Sequence, residues 1–106
     1  MTTDQIAVER STGIYTPNVG ACRARTRAGL VYLFIDDKPI ELHTPDAHKL
    51  GFAMVKQGGE AMPQEFIVVK VNGVALNFPP KSAKQVGAAI LRRADAADDF
   101  QKRISK

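Results

Sequence analysis

The chain has 106 residues, 44% of them hydrophobic and 25% charged, which suits one compact domain and leaves no room for a second. No apolar run approaches the ~20 residues that a membrane-spanning helix needs, and Met1-Thr2-Thr3-Asp4-Gln5 has neither the basic start nor the apolar stretch of a secretory leader. A multidomain enzyme and a disordered tail are excluded, and no membrane partner is expected. The single cysteine, Cys22, cannot close an internal disulfide, so a reducing cytoplasm is the expected setting.

Fifteen Lys and Arg against eleven Asp and Glu give a net charge of +4. That excess can steer the protein toward acidic partners without reaching the strength of a dedicated polyanion binder. It is concentrated at Arg23, Arg25 and Arg27, and again in the C-terminal third at Lys81, Lys84, Arg92, Arg93, Lys102, Arg103 and Lys106. Asp95, Asp98 and Asp99 partly neutralise the second group, which also reads as an ordinary solvated face.

Ile6-Ala7-Val8 predicts a short edge strand, and Thr16-Pro17-Asn18 a bend. Residues 22–28 alternate strictly, the period of a half-buried strand, and Gly29 can turn the chain into the apolar strand Leu30–Ile35. A continuous run of that kind predicts a central strand covered on both faces or nearly so. Residues 36–39 predict a hairpin connection, with Ile40–His43 as the return strand. Thr44 then suits a helix N-cap, with Pro45 and Asp46 in the first turn, and Gly58-Gly59 suits the helix end. The plan recurs: a strand Phe66–Val71, the hairpin dipeptide Asn72-Gly73, a return strand Val74–Phe78, and a long helix from about Ser82 toward Arg103.

A shift of 36 residues superposes the two strand–turn–strand–helix stretches without a gap, placing Ala47 on Ala83, Gly51 on Gly87 and Ala53 on Ala89. The expected domain spans residues 1–106, with N-terminal strands over 1–29 and two β-β-α units over 30–59 and 64–104. The predicted fold class is α+β in two layers, an antiparallel sheet with two helices on one face. Gly51 and Gly87 sit on the inner side of each helix, where glycine costs ~1 kcal/mol against alanine, so a close approach is expected there.

Catalytic candidates are poor. Cys22 shares its strand face with Ala24 and Thr26, which points to a buried thiol rather than a nucleophile. His43 and His48 flank Asp46 without the spacing of a closed zinc set, so no metal site is expected. Asp36-Asp37 reads as turn chemistry, and no glycine-rich phosphate loop opens a helix, so no cofactor and no enzyme activity are expected.

Arg23, Arg25 and Arg27 project from one strand face at ~6.6 Å intervals. Guanidinium forks at that spacing suit phosphates along a nucleic-acid strand, or carboxylates on an acidic protein surface. Like charges on an exposed strand also discourage aggregation. The spacing Arg23-x-x-x-Arg27 resembles the arginine pair of PilZ domains, which bind cyclic dinucleotides. The Asp-x-Ser-x-x-Gly that those domains carry downstream is missing here, and the function does not carry over. No helix-turn-helix, zinc finger or strand-borne aromatic pair of RNP type is evident. Tyr32, Phe34, Phe66 and Phe78 fall in core-like strands, and Tyr15 and Phe52 are the best candidates for exposed aromatics.

The expected function is a non-enzymatic protein-binding module, an inhibitor or adaptor of the kind carried by phages and mobile elements. Its contact residues would be Arg23, Arg25 and Arg27, with Lys84, Arg92 and Arg93 as a second group. The alternative is nucleic-acid binding through the same three arginines, and a sheet face of this character leaves room for a homodimer.

Overall fold

The computed structural model describes residues 6–104. The elements run β1 (Ile6–Ser11), β2 (Cys22–Arg27), β3 (Leu30–Ile35), β4 (Lys38–Leu42), α1 (Thr44–Glu60), β5 (Phe66–Val71), β6 (Val74–Phe78) and α2 (Pro80–Ile104). The fold is α+β and every strand pairing is antiparallel.

Three two-residue turns set the registers. Ala28-Gly29, Asp36-Asp37 and Asn72-Gly73 all take positive φ at both positions, between 49° and 83°, the handedness that matches the twist of a tight hairpin. The Asp36-Asp37 turn is shorter than residues 36–39, so β4 starts at Lys38 and Pro39 lies within it, opposite Phe34. Proline is tolerated there because β4 is an edge strand.

The strands form two three-stranded sheets, ordered β2-β3-β4 and β1-β5-β6, where the sequence predicts one. Two of the four outer edges, those of β4 and β6, are occupied or disabled. Pro39 removes a donor from β4. At the free edge of β6, the Asn18 amide donates to the Ala75 carbonyl at 2.8 Å and accepts from the Asn77 amide N–H at 2.8 Å. The side chain thus stands in for a strand and closes that edge. The third strand also reaches each sheet differently: β2 directly precedes its hairpin, whereas β1 comes from the opposite end of the chain. The expected 36-residue repeat therefore does not extend to the completed sheets.

Each helix crosses to the sheet it does not follow. α1 leaves β4 and packs mainly on β1 and β5, while α2 leaves β6 and packs mainly on β2 and β3. Val31, Leu33, Ile67, Val69 and Val71 face the helices and meet Leu50, Met54, Ile90 and Ala94 in one core. Burial of these side chains is the main stabilising term, about 1.5–3 kcal/mol for each large one.

The helices run antiparallel and touch through small residues. A Cβ on Gly51 would lie 2.8 Å from the Gly87 carbonyl oxygen, and one on Gly87 would lie 2.8 Å from the Gly51 oxygen. Gly58, expected to terminate α1, is instead buried inside it against the Pro80 carbonyl and Lys84, and the helix continues to Glu60. The helix starts differently too. His43 is the N-cap and makes no side-chain cap bond, while Thr44 is the first helical residue and is buried.

Candidate partner-binding surface

The alternation of β2 is realised as its residue types dictate. Ala24 is buried and Cys22 and Thr26 are half-buried against α2, while Arg23, Arg25 and Arg27 project outward and are exposed. Among the described residues, Arg23 has a carboxylate in range, Asp37 at 3.7 Å between two exposed groups, and Arg25 and Arg27 have none. An exposed pair of this kind holds little energy and leaves the guanidinium free to exchange partners.

Beside that row lies one that the sequence pattern conceals. β3 is central, as expected, but only one of its faces is covered. Val31, Leu33 and Ile35 are buried, whereas Leu30, Tyr32 and Phe34 are half-buried on the outer face. The register sets Arg23 opposite Phe34, Arg25 opposite Tyr32 and Arg27 opposite Leu30. On the far side, Pro39 flanks Phe34 and Glu41 flanks Tyr32, whose hydroxyl lies 3.4 Å from the Glu41 carboxylate. The outer face of this sheet is therefore banded: a cationic row on β2, an apolar and aromatic row on β3, and Glu41 on β4.

The band continues past the Ala28-Gly29 turn. There the tail of α2 comes up against the hairpin, and the Gln101 amide donates to the Gly29 carbonyl at 2.7 Å. Arg27, Asp99, Phe100 and Arg103 line a hollow of about 380 Å³ at this corner, so charged groups of both signs and an aromatic ring turn the edge of the sheet.

Lys84, Arg92 and Arg93 do not join this surface. All three are exposed on α2, and α2 lies on the inner face of β2 and β3, opposite the arginine row. The two basic groups foreseen in the sequence occupy different sides of the molecule.

Part of the second sheet's outer face is covered by the chain itself. The segment from Tyr15 to Asn18 runs along it, with Tyr15 set edge-on to Phe66 at 5.5 Å between ring centroids and the Thr16 carbonyl accepting from the Asn77 amide at 2.9 Å. Tyr15 and Phe52, the two exposed aromatics expected from the sequence, are both exposed, Tyr15 while it packs edge-on against Phe66 and Phe52 on α1.

Burial, and secondarily the negative charge of Asp36, push the Cys22 thiol up to about 11, so it is a neutral thiol at physiological pH and a weak nucleophile. Asp36 itself serves the backbone, its carboxylate accepting from the Ala21 N–H at 2.8 Å and the Gly20 N–H at 3.3 Å. His43 and His48 diverge. His43 stays exposed before the helix, and His48 meets Asp95 and Asp98 of α2, residues that no local spacing linked to it. The hydrogen bonds from His48 and then Thr44 hold the Asp98 carboxyl below its ordinary range.

No helix among the described residues is long and apolar enough to cross a membrane. No family model matches the chain, and no curated protein and no solved structure matches it either.

Proposed function

We propose that the protein is a non-enzymatic binding module that docks the outer face of the β2-β3-β4 sheet onto an acidic protein surface, acting as an inhibitor or adaptor. The observation that carries this reading is the pairing of Arg23, Arg25 and Arg27 with Phe34, Tyr32 and Leu30 across one open sheet face. Arginine and tyrosine are the residue types that dominate protein-interface energetics, with an apolar centre excluding water and charged groups at the rim. The cationic row supplies orientation and a fast encounter with acidic partners, and the aromatic row supplies dwell time. Glu41 beside Tyr32 adds a negative group that would repel partner carboxylates and phosphates alike, so it sets where an acidic partner sits on the face rather than which kind it is.

The nucleic-acid reading keeps one supporting feature, since Tyr32 and Phe34 alternate on the open face at base-stacking reach beside arginines. Affinity capture with the tagged protein, with and without nuclease, separates the two. The protein reading expects a discrete partner that survives nuclease and is lost when Arg23, Arg25 and Arg27 are replaced by alanine. Recovery of nucleic acid, with accompanying proteins lost on nuclease treatment, would overturn it.

A further inference from the structure

We propose that His48, Asp95 and Asp98 form a binding site for one divalent transition-metal ion of the zinc class, held between α1 and α2. The antiparallel helix pair creates the cluster. Asp95 and Asp98 are three residues apart and share one face of α2, and His48 approaches them from the facing turn of α1. Its Nε2 lies 2.9 Å from Asp98 Oδ2 and 3.8 Å from Asp95 Oδ1, and the three candidate ligand atoms all fall within 4.8 Å of one another.

Those separations bracket what an ion requires. Four ligands at ~2.0–2.1 Å in a tetrahedron stand roughly 3.4 Å apart, so His48 and Asp98 must open slightly and Asp95 must close slightly. Asp95 can follow, because its side chain is 75% exposed. The helix crossing at Gly51 and Gly87 lies one turn from His48 on α1 and fixes the distance between the two ligand-bearing helices.

The surroundings support coordination. Thr44, 5% exposed, sits close enough to Asp98 to favour its ionised carboxylate, the kind of neighbour that supports a ligating carboxylate. One imidazole and two carboxylates select borderline ions such as zinc, cobalt or nickel over calcium and magnesium, which prefer all-oxygen cages. Three protein ligands leave a position open to water, so the site is accessible from solvent. Lys102, whose charge acts on Asp98, opposes the ion and limits its affinity. The site is remote from the outer face of the first sheet, and it stands or falls independently of the partner reading.

The test uses tag-free protein titrated with zinc chloride by calorimetry and with cobalt(II) by visible absorption. The expected result is saturation at one ion per chain, with His48→Gln and Asp95→Asn each weakening binding by about tenfold or more. His43→Gln, at the exposed histidine outside the cluster, is expected to bind as wild type does. Circular dichroism confirms that the variants fold, and Asp95 is exposed enough for its replacement to be structurally silent. No saturable binding by wild type, or equal weakening by His43→Gln and His48→Gln, would overturn the site and leave His48–Asp98 as an ion pair only.

Discussion

Gly51 and Gly87 face each other where the two helices cross, each occupying the space into which the other's Cβ would grow. A methyl on either would stand 2.8 Å from the opposite carbonyl oxygen, and one on Gly51 would also stand 2.8 Å from Leu91. A backbone oxygen held in a helix cannot swing aside, so the helices themselves would have to part. Gly51→Ala and Gly87→Ala are each expected to destabilise the fold by about 1–3 kcal/mol, in spite of the gain in helix propensity. Because one separation of the helices relieves both clashes, the double variant should cost less than the sum of the singles, which denaturant melts of the four proteins will show.

Gly59 gives the opposite sign on the same helix. Nothing lies within 4 Å of a Cβ built there, and its φ is not in the left-handed region. Gly59→Ala should stabilise by up to ~1 kcal/mol through helix propensity alone, measurable as a higher denaturant midpoint with an unchanged slope.

The turn Asp36-Asp37 carries strain that its counterpart Asn72-Gly73 avoids, since Asp37 has φ 71° where Gly73 has φ 83°. Asp37→Gly should stabilise by about 0.5–1 kcal/mol, because only glycine takes that conformation without steric cost. The lost 3.7 Å contact to Arg23 joins two exposed groups and offsets little of it. Thermal melts of the variant decide the sign.

Cys22 should resist thiol reagents at neutral pH in the folded protein and react promptly once the chain is unfolded. Its thiol is raised to about 11 by burial and then by Asp36, whereas an unfolded cysteine ionises at ~8.5. The raised value means that the contribution to stability is fully present below the unfolded value and is lost as pH climbs from there through about 11. Cys22→Ala should flatten that part of the alkaline stability profile.

Much of this architecture was legible in the residues. The alternation of β2 told which side of the strand the arginines would take, and Gly29, residues 36–39 and Asn72-Gly73 marked where the hairpins turn. The partner of each strand was not legible, because alternation fixes a face and says nothing about the neighbour. β1 finds β5 across most of the chain, and Asn18 shuts the β6 edge from a segment with no pattern of its own. The run Leu30–Ile35 hid the aromatic row, since an unbroken apolar stretch does not say that one face lacks cover. His48 met Asp95 and Asp98 only through the antiparallel crossing of helices that start 36 residues apart.

The outer-face variants should separate binding from folding. The triple alanine replacement of Arg23, Arg25 and Arg27 changes exposed groups, whereas Tyr32→Ser trims a half-buried ring on the outer face and is checked for folding by circular dichroism. For the triple variant each substitution should shift stability by no more than about 0.5 kcal/mol.

The most direct test of the docking surface is the affinity of the captured partner for wild type and for Tyr32→Ser, measured at two salt concentrations. A protein interface centred on β3 predicts a loss of about tenfold or more for the variant and only a shallow dependence on salt. An affinity that ignores Tyr32, or one that collapses by orders of magnitude between roughly 50 and 200 mM salt, would contradict it.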